Sequence, residues 1–506
     1  MKIERTKNTI RNILFGFLAK ILNIILPFIA RTAILYIVGE QYLGLSSLFS
    51  SILSFLSLAE LGIGGAMVYS MYRPIAENDH TTIKAILNLY RKLYRIIGTI
   101  IFGIGLCLIP FLNLLVREEL PGDVNLYILY LLYLVNAALS YWLFAYKVAL
   151  LQAFQRNDVD SKIGMVITPL SYLVMLSALF FTKNYYAYII WLPVFTIVTN
   201  FVRKFYVDRH YPELKPEGQI GEELKESIVK KVKALIGTKL NTVVLNAADN
   251  IVMAAFFDLT TIAIYGNYYY IMSSIFGFLG ICYSAMTAGL GNSIATETVE
   301  KNYGDFMKFS FLNSWMVGWC TICLVCLYQP FMYIWTGEDL MFPFGIVLLF
   351  GLYFFVYQIR KIPVTYKDAA GIWWEDRFRP YVCMVVNIVM NILLVQIIGI
   401  AGILLSTILS LVISIPWENF TIFKYVFHRG SGEYYKKMGY YALTLAAAGM
   451  ITYLCCMPWG DGIPFLLLRM AICVIVPNIV IFLLNRKGKE FQSAKSFVLG
   501  IVKRRR

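Results

Sequence analysis

Stretches of about 20 apolar residues recur from one end of this 506-residue chain to the other, each long enough to cross roughly 30 Å of hydrocarbon as a helix. We count fourteen, near 12–38, 43–69, 96–116, 126–146, 163–182, 185–202, 235–257, 264–293, 309–335, 342–362, 380–398, 401–423, 438–457 and 463–485. Inside a bilayer no water satisfies the backbone, so a succession of such runs must fold as helices whose amides pair within each segment. Composition agrees, because 59% hydrophobic against 15% charged residues exceeds what a soluble core needs. The expected fold is an all-α polytopic membrane protein with about 14 transmembrane helices. The first run follows a basic N-terminus as a signal peptide would, but it is too long and lacks a small-residue cleavage site, so it is expected to stay as span one.

Lys and Arg accumulate on the cytoplasmic side of membrane proteins. With the N-terminus inside, nearly all of the 45 basic residues fall in cytoplasmic segments; Arg117 and Lys183 fall outside, while Lys20, Arg31 and Arg469 lie within spans. Both termini are therefore expected to be cytoplasmic. The net charge of +15, with Lys503, Arg504, Arg505 and Arg506 closing the chain, follows from this rule and from contact with anionic lipid headgroups. Membrane lipids are thus the expected partners, and no nucleic acid is. Among nine cysteines, Cys320, Cys323 and Cys326 share one side of an apolar helix, whereas zinc wants a closed set of four ligands. His80, His210 and His428 all fall in expected cytoplasmic loops, so the thiols read as packing, with no metal and no cofactor.

A weak internal repeat divides the chain. Residues 50–56 read SSILSFL and 273–279 read SSIFGFL. Lys20, Asn23, Pro27 and Arg31 in span one have the spacing of Lys239, Thr242, Asn246 and Asn250 in span seven. Eleven residues bring a helix back to within about 20° of its starting direction, so each set forms a polar stripe about 16 Å long. An offset of six spans leaves corresponding helices parallel, which is the pattern of two lobes related by an axis along the membrane normal with a cavity between them. The expected division is an N-terminal six-helix lobe (1–205), a cytoplasmic linker with an amphipathic surface helix (206–234), a C-terminal six-helix lobe (235–430), two additional helices (431–485) and a basic tail (486–506).

Charges at bilayer depth are costly and normally face a partner or a water-filled cavity. Lys20 and Arg31 on one face of span one suit an anionic group bound at two depths; snorkelling of Lys20, or pairing of Arg31 with Glu60, is the structural alternative. Glu60 in span two pairs with a span-one cation or binds a coupling H⁺ or Na⁺. Asp249, beside Asn246 and Asn250 in span seven, offers an ion site or a hydrogen-bond hub. Arg360 at the inner end of span ten follows the positive-inside rule or forms a cytoplasmic entrance for an anionic headgroup.

The opening RNILFGFLAKILNIILPFIARTAILYIVG (11–39), YLGL (42–45), AELGIG (59–64) and ADNIV (248–252) resemble the Wzx-like polysaccharide repeat-unit flippases of the multidrug/oligosaccharidyl-lipid/polysaccharide (MOP) exporter superfamily. The resemblance extends over most of the chain. It implies two lobes that alternate access and a cationic central cavity into which Lys20 and Arg31 fit. It also implies export of undecaprenyl-pyrophosphate-linked oligosaccharide to the outer leaflet of the bacterial cytoplasmic membrane, for capsule, exopolysaccharide or O-antigen synthesis, with a polymerase and other assembly proteins as further partners. The alternatives are a lipid II or teichoic-precursor flippase, or a drug exporter, whose acidic cavity the span-one cations argue against. A membrane polymerase or glycosyltransferase would need catalytic groups on a substantial outer loop, and the expected outer loops are short; the chain is read as no enzyme.

Overall fold

The computed structural model describes residues 5–60, 63–116 and 124–504, with side chains for most of them, and among these the ordered structure is helical throughout. The chain forms two compact units, Met1–Gly266 and Asn267–Arg506.

The first unit holds α1 (Arg5–Ile37), α2 (Glu40–Leu56), a 3₁₀ turn Ser57–Glu60, α3 (Ile63–Glu77), α4 (His80–Leu108), α5 (Leu112–Leu115), α6 (Leu126–Trp142), α7 (Ala145–Ala153), α8 (Asn157–Thr182), α9 (Tyr185–Ile189), α10 (Trp191–His210), α11 (Glu222–Phe256) and the opening of α12 (Leu259–Thr296). Side-chain caps start several of these helices. The Asp79 carboxylate accepts from the Thr82 amide at 3.0 Å, and Asn125 accepts from the Tyr127 and Ile128 amides at 3.1 and 3.2 Å. The expected span two is divided between α2 and α3, neither of bilayer length alone; the expected span four is α6 and α7, bent by 48°. The segment read as a separate surface helix is continuous with span seven in the 35-residue α11, because 222–256 contains no proline to stop the hydrogen-bond ladder. Although the sequence places the second lobe's start at 235, α11 packs on α2 and α3 and the division falls at Gly266.

The second unit continues with α13 (Val299–Thr336), α14 (Phe344–Ile359), α15 (Lys361–Ala370), α16 (Arg379–Ile398), α17 (Ile400–Ile422), α18 (Gly432–Cys456), α19 (Ile463–Asn485) and α20 (Lys489–Arg504). Its tightest pair is the hairpin α16–α17, which turns on Gly399 at φ 60°, a conformation that suits a residue without Cβ. At Gly402 a Cβ would stand 2.4 Å from the Leu394 carbonyl oxygen, so the two backbones touch. Polar rungs cross the pair: Asn387 donates to Thr407 at 3.0 Å and Ser406 to Asn391 at 2.6 Å.

The exterior is apolar and polar groups are held inside, the arrangement a lipid solvent imposes. Ile96, Ile100 and Ile104 on α4, Leu443 on α18 and Ile475 on α19 are exposed, while Asn387, Asn391 and Glu418 are fully buried. Ten helices among the described residues are long and apolar enough to cross a membrane, eleven if α6 and α7 form one span. At one end of the first unit, charged residues pair in the segments expected to be cytoplasmic. Asp158 binds Arg156 and Lys162 at 2.9 and 3.1 Å, Arg203 binds Asp160 at 2.7 Å, and Lys147 pairs with Asp208.

Candidate functional site

Among the described residues, three polar clusters hold charges singled out in the sequence, two in the first unit and one in the second. The first surrounds Glu60, where α2 gives way to a 3₁₀ turn. Tyr94 and Tyr141 each donate a hydroxyl to its carboxylate, Tyr141 at 3.2 Å. Tyr90 stacks edge-on against Tyr94 with ring centroids 4.3 Å apart. A Cβ on Gly64 would lie 3.0–3.2 Å from the Tyr94 hydroxyl, a Glu60 oxygen and the Tyr90 hydroxyl, so glycine there lets the three groups converge. Among the described residues Glu60 makes no ion pair; its partners are neutral phenols. It lines a cavity of about 620 Å³ between α3, α4, α6, α7, α8 and α10, which also carries Gln152, Asn200 and Arg203. A carboxylate facing such a space, ringed by hydroxyls, can take up a proton or a small cation.

The second place is a seam along α2. Arg31 is half-buried on α1, and its guanidinium and Ser47 Oγ both lie against the bare Cα of Gly266, 3.0 and 3.2 Å from where a Cβ would stand. Tyr133 and Tyr188 are within electrostatic reach of this cation, and Tyr133 joins Ser46 and Tyr185 at 2.9 and 2.8 Å. Asn250 on α11 donates to Ser51 at 2.9 Å, and its side-chain oxygen is buried without a hydrogen-bond donor among the described residues. Asp249, 5% exposed, accepts from Tyr265 at 3.1 Å. The α2 serines thus bond to α6 and α11 and, at Ser47, flank the Arg31 cation. Asn246 lies outside the described side chains, as do Lys239 and Thr242. Lys20, half-buried eleven residues before Arg31, has neither ion pair nor hydrogen bond among the described residues.

The third place is a buried charge cluster in the second unit. Arg379 binds Asp376 at 2.8 Å and lies 3.0 Å from Glu418; Arg360 lies 3.4 Å from Glu418, and Lys367 pairs with Asp376. Ser414 accepts from Arg379 at 2.9 Å. Glu418 Oε1 is close enough to both guanidiniums to compensate charge, yet neither Glu418 oxygen nor Arg360 Nε has a hydrogen-bond partner among the described residues. Three cations face two carboxylates, which leaves one positive charge. Arg360 also borders a largely apolar cavity of about 360 Å³ between α14, α15, α17 and α18.

Glu60, Arg31, Asp249 and Asn250 therefore each sit among polar partners, and Arg360 is tied to Glu418. Sequence reasoning missed the tyrosines, although Tyr90 and Tyr94 share one face of α4 at a spacing of four. It also missed Glu418, although a glutamate closing the apolar run ISIPWENF is as conspicuous as Glu60.

The sequence matches no protein-family model and no curated protein. Its fold is similar to that of solved structures. The lipid II flippase MurJ in an inward closed conformation is 14% identical, with a TM-score of 0.65 over 94% of this chain and 98% of that one. A multidrug resistance MATE family transporter of the MOP superfamily matches in its inward-facing conformation at 14% identity and a TM-score of 0.58, over 78% of this chain and 94% of that one. An outward-facing structure of such a transporter matches at 13% and 0.56, over 82% and 95%. The fold is therefore similar to that of the solved MurJ and MATE structures.

Proposed function

We propose that this protein is a flippase that carries undecaprenyl-pyrophosphate-linked oligosaccharide repeat units from the inner to the outer leaflet of the bacterial cytoplasmic membrane by alternating access. The carrying observation is the cationic face of α1, with Lys20 half-buried and unpaired among the described residues and Arg31 eleven residues further along. A pyrophosphate cannot enter hydrocarbon unaided, and fixed cations at two depths offset its desolvation. Likeness to a lipid II flippase over 94% of the chain supports a lipid-linked cargo. Moving about two negative charges outward across about 100 mV releases roughly 4–5 kcal/mol, so the membrane potential alone can drive export. Glu60 in its tyrosine cage is the site at which a proton would couple to transport, and the Asp249–Asn250 pair is the alternative site for H⁺ or Na⁺.

The test is lipid-linked oligosaccharide in a deletion strain complemented with the wild type, Lys20→Ala or Arg31→Ala. Accumulation on the inner leaflet, relieved by the wild type and not by the variants, is expected. Glycan that reaches the outer leaflet without the protein and stays unpolymerised would replace this reading with a polymerase.

A further inference from the structure

Three thiols from three helices of the second unit meet inside the bundle. Cys326 on α13, Cys456 at the end of α18 and Cys473 on α19 are all buried, and their sulfurs lie within 4.8 Å of one another, Cys456 and Cys473 at 4.0 Å. Their surroundings are apolar, with Ile322, Leu445, Ala448 and Ile481 in the same cluster. Neither histidine nor carboxylate joins them among the described residues. Arg469, the cation beside Cys456, is engaged with the Cys456 carbonyl at 3.3 Å and lies 3.7 Å from Asp461.

We propose that Cys326, Cys456 and Cys473 form a three-sulfur site for a trivalent thiophilic centre of the arsenic(III) class. A centre bonded to three sulfurs at about 2.3 Å holds them roughly 3.5–4 Å apart, a separation the cluster reaches by small side-chain rotations. Charge selects among soft ions. Three thiolates around a monovalent copper leave two negative charges in an apolar site, and around a divalent zinc or cadmium they leave one. With a trivalent centre the complex is neutral and the burial penalty disappears. Arsenous acid reacts with three thiols by replacing its three As–O bonds with As–S bonds; the three thiol protons leave in three water molecules, and nothing is oxidised or reduced. Access is provided by an apolar cleft of about 290 Å³ that Cys326 borders with Gly318, Gly351 and Leu445, a route open to a neutral solute. The product staples α18 and α19 to α13.

The test uses full-length protein in detergent micelles, kept reduced with a phosphine and titrated with arsenite. Bound arsenic is measured by elemental analysis, and protected cysteines by alkylation and peptide mapping. The expected result is one arsenic per chain with Cys326, Cys456 and Cys473 protected, and none in Cys326→Ser, Cys456→Ser or Cys473→Ser. A variant with Cys107, Cys282, Cys320, Cys323, Cys383 and Cys455 replaced by serine keeps the whole cluster and should bind as the wild type does, so the question is answered even if the single variants misfold. No arsenic in that variant, or undiminished uptake in Cys473→Ser, overturns the site. Displacement of arsenic by equimolar Cu(I) overturns the assignment of charge.

Discussion

Glu60 is a residue whose surroundings come from helices distant in sequence. Its carboxylate is met by the hydroxyls of Tyr94 and Tyr141 and by no cation among the described residues. Under the proposed coupling, a proton would reach it from the cavity that it lines. In vesicles with an imposed proton gradient, Glu60→Gln is expected to abolish the pH dependence of export and leave the potential-driven component in place. If the variant keeps the full response to the gradient, Glu60 is not the coupling group. A lone carboxylate in an apolar run was readable in the sequence. Its partners were not, because Tyr94 and Tyr141 come from two other helices and no spacing rule links them to residue 60. Glu418 was equally visible, yet its arginine partners come from the α14–α15 junction and the start of α16, and only folding brings them within ion-pair reach.

At the scale of elements, close approach of backbones is bought by glycine. The α16–α17 hairpin depends on Gly399 at its turn and on Gly402, where an added methyl meets the Leu394 carbonyl. Gly402→Ala is expected to destabilise the protein by about 1–3 kcal/mol through overpacking, read as a lower melting temperature in detergent. Gly439→Ala on α18, where a Cβ meets nothing within 4 Å, is the control and should leave it unchanged. The polar rungs Asn387–Thr407 and Asn391–Ser406 explain why an otherwise apolar hairpin keeps amides and hydroxyls in its interior. The helices themselves follow closely from the apolar runs. Their breaks at Ser57–Glu60 and between α6 and α7 do not, since the apolar run continues through each bend and packing partners decide where a span yields.

For the whole molecule, the positive-inside pattern predicts that both termini are cytoplasmic. Fluorescent protein fused after Arg506 is expected to fluoresce, and alkaline phosphatase fused at the same place to be inactive; the opposite pair of results would reverse the threading. By itself the sequence determined the solvent: recurrent apolar runs exclude anything but membrane helices, and buried charge singled out Glu60, Arg31 and Asp249 as residues in need of polar neighbours. Tertiary structure alone decided the neighbours. It tied α11 to α2 through Asn250 and Ser51, and drew Cys326 to Cys456 and Cys473. Spacing along a chain specifies the face a residue occupies on its own helix, whereas the groups opposite that face are chosen by packing among helices distant in sequence.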